Sequence, residues 1–147
     1  MRKQKGFTLI ELVVVVMILG ILAAVAAPKL LNTSSTAADN GLKQTLGVVR
    51  DSIERYAAEH SGQLPGDLGT EADLKADLTP YLRGVFPKCP VAGGNDKVEI
   101  TSTVGAIVGD ASASPAESWH YNSKDGQFIC NTATETKSTP GVNYDEL

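Results

Sequence analysis

The chain has 147 residues, a formal charge of −4, 42% hydrophobic and only 5% aromatic residues. Beyond an apolar N-terminal run, that leaves room for one small domain with a modest core. The Lys and Arg of that domain form no run, which argues against nucleic acid as its main partner.

The first element is the N-terminal helix. From Leu12 to Ala27 every residue is apolar or glycine, and Glu11 is the only charge between Phe7 and Ala27. About 20 residues rising 1.5 Å each span a hydrocarbon core, so this segment can cross a bilayer as one helix. Arg2, Lys3 and Lys5 precede it, which predicts a cytoplasmic N-terminus and export of everything after Lys29. Without those three cations the formal charge falls from −4 to −7, so the exported part is acidic. A carboxylate inside the span costs roughly 2.5 to 3.5 kcal/mol or more and calls for a partner. Glu11 either snorkels to the headgroups or is protonated, or it meets a countercharge; a cut between Gly6 and Phe7 would create one, an α-ammonium group one turn before it. A competing reading is a secretory signal peptide cut after Ala24-Val25-Ala26. The apolar run exceeds the usual length for that, and Glu11 interrupts its start.

The run Lys5-Gly6-Phe7-Thr8-Leu9-Ile10-Glu11-Leu12, its Val/Ile/Leu/Ala continuation and Pro28 resemble the class III signal of type IV pilins and type II secretion pseudopilins. The likeness is greatest to the major pseudopilins, those like general secretion pathway protein G. The resemblance implies a prepilin peptidase that cuts after Gly6 and N-methylates Phe7. It also implies that Glu11 pairs with the N-terminal amine of a neighbouring subunit and sets the stagger of a helical filament. The implied partners are further copies, minor pseudopilins, and an inner-membrane assembly platform with its ATPase. No cofactor is implied. The motif covers residues 1–28 and speaks for processing and assembly more firmly than for the exported head.

Pro28 predicts a bend without ending the helix. After the polar stretch 32–36 the helical pattern resumes, with Leu42, Leu46, Val49, Ile53 and Tyr56 on one face and Lys43, Gln44, Arg50, Asp51, Glu54 and Arg55 on a solvated one. Arg50 with Glu54 and Asp51 with Arg55 are candidate i,i+4 pairs. The helix should stop at His60-Ser61-Gly62, with Gly62 in the left-handed cap conformation. Thr70 predicts the start of a short helix from Glu71 to Leu78, broken near Pro80. Phe86-Pro87-Lys88-Cys89-Pro90 is extended. Residues 97–103 read as the first strand, and Gly105 to Val108 is too short to assign. Residues 118–122 and 127–131 form a hairpin turned at Asp125-Gly126, with Trp119, Tyr121, Phe128 and Cys130 as candidates for the face on the helical stripe. Residues after Asn131 read as a loose polar tail.

Cys89 and Cys130 are the only cysteines. They lack metal-ligand spacing and, in an exported compartment, read as a candidate disulfide worth about 4 kcal/mol; the alternative is two small buried hydrophobes. Major pseudopilins carry calcium in the loops of the sheet, but residues 108–112 and Asp125 offer too few oxygens at a recognisable spacing, so no metal site is expected. His60, His120 and Ser118 do not assemble into a known catalytic pattern, and no enzyme is expected.

The expectation is therefore an α+β pilin-like fold, a long kinked N-terminal helix packed on a small antiparallel sheet. Its divisions are a leader (1–6), a transmembrane and filament-core helix (7–28), an amphipathic spine (29–61), a small α/β head with a C-terminal hairpin (62–131) and a polar tail (132–147). The function it points to is a structural subunit of a type II secretion pseudopilus, anchored in a bacterial inner membrane with its head in the periplasm. A pilin of an adhesion, motility or DNA-uptake fibre and a membrane-tethered binding domain that never polymerises are the alternatives.

Overall fold

A computed structural model describes residues 7–112 and 115–147, with backbone only at 28 and 30–32. Helix α1 (Leu9–Glu59) contributes to two compact units, Met1–Ser35 and Thr36–Leu147. In the first unit, Leu9–Ala27 is long and apolar enough to cross a membrane, with mean hydropathy 3.0 and none of its residues buried.

In the second unit, α1 supplies Leu42, Leu46, Val49 and Ile53 to the core, at the alternating spacing of four and three that puts them on one face. The helix ends in a Schellman motif, the Gly62 N–H donating to the Ala57 carbonyl at 2.7 Å. The left-handed residue at its turn is Ser61 (φ 59°), followed by Gly62 (φ 86°), so the expected glycine is joined by a serine one position earlier. Helix α2 (Glu71–Leu78) has the predicted bounds; the Thr70 side chain caps the Asp73 N–H, and Leu74 and Leu78 are buried.

Strands β1 (Val98–Thr101), β2 (Trp119–Asn122) and β3 (Phe128–Cys130) form one sheet in that order. Strand β2 pairs with β3 as the predicted antiparallel hairpin, Trp119 facing Cys130 and Tyr121 facing Phe128. Its pairing with β1 is parallel, Val98 beside Trp119 and Thr101 beside Asn122. The sheet is thus mixed and not antiparallel throughout. A parallel neighbour needs a crossover of a dozen or more residues, which 102–118 provide.

Val98, Trp119, Tyr121, Phe128 and Cys130 share one core cluster with the α1 stripe, as expected of that face. Every residue of β2 is nevertheless buried, because the crossover lies over the other face, its Val108 carbonyl accepting from His120 Nδ1. Two core aromatics also hold loops with their polar ends. Trp119 Nε1 donates to the Pro87 carbonyl at 3.0 Å, and the Tyr121 hydroxyl donates to the Pro65 carbonyl at 3.0 Å.

The segment after Asn131 is not loose. A bridge joins Glu135 to Asn143, the Tyr144 N–H donates to the Thr134 carbonyl, and a 3-10 turn (Tyr144–Glu146) buries Tyr144 to 4% exposure. Asp39 is the reason. Fully buried on α1, its carboxylate accepts from the Tyr144 hydroxyl and the Ser138 N–H, each at 2.7 Å. Arg50 acts likewise and does not belong to a solvated face: half-buried, it donates to the carbonyls of Phe128 (3.0 Å) and Leu147 (2.9 Å). Asp51 and Arg55 form the expected pair at 2.9 Å.

Candidate functional site

The start of α1 is built by Thr8 and Glu11. The Glu11 N–H donates to Thr8 Oγ1 at 3.3 Å, while Glu11 Oε2 accepts from the Thr8 N–H at 2.8 Å and from the Thr8 hydroxyl at 2.7 Å. This is a capping box, in which two end groups of the helix satisfy each other. The negative carboxylate also lies at the positive end of the helix dipole. Glu11 Oε1 takes no hydrogen bond among the described residues, so one oxygen stays open to a further donor. Phe7, 80% exposed, lies one turn before it, and a shallow apolar groove of about 340 Å³ is lined by Phe7, Ile10, Glu11, Val14 and Val15. The cleavage position Gly6 lies outside the described residues, as does the side chain of Pro28.

The capping box is readable as Thr-x-x-Glu, a local partner for Glu11 besides the snorkelling, protonation and countercharge that its sequence context suggests. Asp39 was missed altogether. Burial pushes its carboxyl up, but the hydrogen bonds from Ser138 and Tyr144 outweigh this and hold it below the usual carboxylate value. On the other side of that bond, burial and then Asp39 push the Tyr144 phenol up to about 12.

The fold brings Cys89 and Cys130 together. Their sulfurs lie 3.6 Å apart as thiols, both buried, in contact between the Pro-rich segment and β3. Hydrogen bonding from Cys130 lowers the Cys89 thiol, and the same interaction with burial raises Cys130.

The candidate acid/base groups do not converge. His120 Nδ1 must donate to the Val108 carbonyl (3.1 Å), which leaves Nε2 to accept from the Thr101 hydroxyl (2.8 Å). Ser118 Oγ accepts from the Asn95 N–H, and His60 stacks on Tyr56 with ring centroids 3.9 Å apart. Asp110 caps the Ser112 N–H, and Asp125 Oδ2 accepts from the Gly105 N–H and the Asn122 amide. Among the described residues no three His, Cys, Asp or Glu side chains gather in a metal-binding group.

Comparison with known proteins falls on the same N-terminal site. Residues 1–27 match the family described as the prokaryotic N-terminal methylation motif. Beyond it, the chain is 33% identical to the type IV major fimbrial protein FimA of Dichelobacter nodosus, over 93% of this chain and 94% of that one. The chain belongs to the type IV pilin-like family. This pilin-like chain is also 39% identical to the type II secretion system core protein G of Vibrio cholerae, over 65% of its own length and 70% of the relative's. With the competence protein ComGC of Bacillus subtilis it shares 29% identity, over 65% and 97% of the two chains. No solved structure matches. Membership marks the chain as a structural pilin-like subunit with an N-terminal methylation motif, and its α+β fold agrees.

Proposed function

We propose that this pilin-like chain is the polymerising subunit of a type II secretion pseudopilus. The observation that carries the reading is the apolar span Leu9–Ala27, none of it buried, headed by Glu11 with one carboxylate oxygen open. Prepilin peptidase removes residues 1–6 and methylates Phe7. The new ammonium group of a neighbouring copy then meets Glu11, and the pair offsets two charges that would each be costly in hydrocarbon. The heads stay on the periplasmic side of the inner membrane, the spans form the filament core, and an assembly platform with its ATPase extends the filament in the company of minor pseudopilins. In that oxidising compartment Cys89 and Cys130, already in contact, close into a disulfide.

Near full-length similarity to a fimbrial protein favours a second reading, a subunit of a surface fibre. One set of strains separates the two. Intact mass of the protein from its own host should give a chain starting at Phe7 and heavier by one methyl group. Deleting the gene should then abolish export of secreted enzymes and leave surface fibres in place. Loss of fibres with export intact would transfer the chain to the second reading. In the same host Glu11→Ala should cut filament formation by ~10-fold or more, the loss of one buried charge pair of a few kcal/mol. Undiminished filaments would rule out the charge pairing, and a start at Ala27 or an uncut Met1 would end the filament reading.

A further inference from the structure

Cys89 and Cys130 lie in contact but out of reach of any reagent, at 1% and 0% exposure. Both belong to the core cluster with the α1 stripe, and two segments flank them. Residues 86–96 carry Cys89. Residues 132–147 form a strap whose 3-10 turn packs on β3, the strand that carries Cys130. The two segments are held differently. The first adds Phe86, Cys89 and Ala92 to the core and is tied down at Pro87 by Trp119, at Asn95 by the Cys89 N–H (2.9 Å) and at Asp96 by Lys75 (2.9 Å). The strap adds Tyr144, with Leu147 packed against the cluster, and its ties to α1 are polar: Asp39 to Ser138 and Tyr144, and Arg50 to the Leu147 carbonyl. A notch of about 300 Å³ already separates the two, lined by Pro90 and Val91 next to Cys89, Thr134 and Tyr144 of the strap, and Ala38 beside Asp39. A segment with few buried apolar contacts opens at a lower free energy than the whole fold.

We propose that the strap 132–147 is a gate on the Cys89–Cys130 pair: a small thiol-exchanging disulfide reaches the sulfurs only while the strap is off α1, and its closure seals the bond once made. The exchange balances without further reactants. The Cys89 thiolate, to which the Ala92 N–H donates at 3.4 Å, attacks one sulfur of the reagent; its S–S bond breaks and one thiol leaves. Cys130 then gives up its proton and attacks Cys89 Sγ in the mixed disulfide, and the second thiol leaves. Two electrons pass from the pair to the reagent. Bond formation thus precedes strap closure, and the closed strap then keeps reductants out. The gate is independent of which filament the chain serves.

The test uses the full chain, reduced, in detergent micelles with excess dithiodipyridine, and follows the released thiopyridone by absorbance. Intact mass should show an internal bond with no pyridine attached. Asp39→Ala removes a strap anchor and should speed the reaction by ~10-fold or more. Tyr144→Phe keeps the ring in the core, removes one bond and should speed it by less. Leu46→Ala weakens the core and none of the strap's anchors, so the rate should stay within about 2-fold of the parent. For the parent chain the rate should rise with urea far less steeply than the global unfolding constant, because strap opening exposes little surface. A rate unchanged by both Asp39→Ala and Tyr144→Phe would overturn the gate. Equal acceleration by Leu46→Ala, or a urea slope matching global unfolding, would also overturn it, since the thiols would then react through the unfolded chain. Acceleration by Asp96→Asn, which frees the other segment from Lys75, with none from Asp39→Ala would put the opening on that side and end the strap's role.

Discussion

From Leu9 to Ala27 helix α1 leaves its side chains uncovered, Val14 at 45% and Leu9 at 81% exposure, whereas Leu42, Leu46, Val49 and Ile53 of the same helix are 0–3% exposed. The residue types are alike; the difference lies in their order. In the second stretch apolar residues recur every three or four positions, so one folded head covers the only face that needs cover. In the first they are continuous around the helix, and no single small domain could enclose them all. A span of that kind is completed by lipid or by other spans. Stability of the head therefore resides in one stretch of α1, and the proposed assembly in the other.

The largest test of this division compares two truncations measured as thermal unfolding of the full chain in micelles. Leu46→Ala opens a cavity in a buried cluster and should cost about 2–5 kcal/mol. Val16→Ala, at an exposed position of the span, should change head stability by less than about 0.5 kcal/mol. Similar losses from both would mean that the two stretches do not divide the work.

Next in size is the clamp opposite the buried stripe. A bond between Cys89 and Cys130, 41 positions apart, should raise stability by about 4 kcal/mol in the loop-entropy account. The unfolding midpoint should fall on reduction, and Cys89→Ser should remove the dependence on reductant. A midpoint indifferent to reductant would leave the pair as two packed thiols.

How much of this was legible depends on what each residue contacts. The α1 stripe, α2 and the hairpin came through because their signals are local: a period, a cap at Thr70, a turn at Asp125-Gly126. Strand direction has no such signal. Val98 and Ile100 alternate with Glu99 and Thr101 in either orientation, so the parallel pairing of β1 depended on where the crossover led. Burial of both faces of β2 erased the alternation that would have shown its inner side. The C-terminal segment looked loose because its sequence is polar. Its anchors, Asp39 and Arg50, are charged residues on a helix almost 100 positions earlier, where composition suggests solvent. At the proposed assembly site the Thr8–Glu11 cap was local and readable, while the open carboxylate oxygen became visible only with the geometry.

Asp39 supplies the third test, because it extends the buried stretch of α1 toward the C-terminus by polar contacts. Asp39→Ala strands the Ser138 N–H and the Tyr144 hydroxyl and should cost about 2–3 kcal/mol, with faster proteolysis after Asn131. The pH dependence has a definite sign. A carboxyl held lower in the folded than in the unfolded chain contributes stability that is complete above its unfolded value, near 4, and is lost as pH falls through the folded value. Limited proteolysis of the segment should therefore accelerate on acidification below about pH 4 and lose that acceleration in Asp39→Ala. The same acid sensitivity in the variant would place the titrating group elsewhere.

The smallest effect concerns the end of the buried stretch. Ser61 holds φ 59° at the Schellman turn with no hydrogen bond from its side chain among the described residues. A non-glycine residue in this region costs roughly 1–2 kcal/mol, and glycine's greater freedom in the unfolded chain returns roughly 0.5–1 kcal/mol of that. Ser61→Gly should therefore stabilise the head by about 0.5–1 kcal/mol in chemical denaturation. Gly62→Ala, at φ 86° with nothing within 4 Å of the added carbon, should destabilise it by about 1 kcal/mol through conformation alone. Both changes lie beyond the last residue of α1 and far in sequence from Phe7, so neither should alter filament yield. A loss of filaments in Ser61→Gly would show that the C-terminal end of the helix takes part in assembly after all, and the division between the two stretches would have to move.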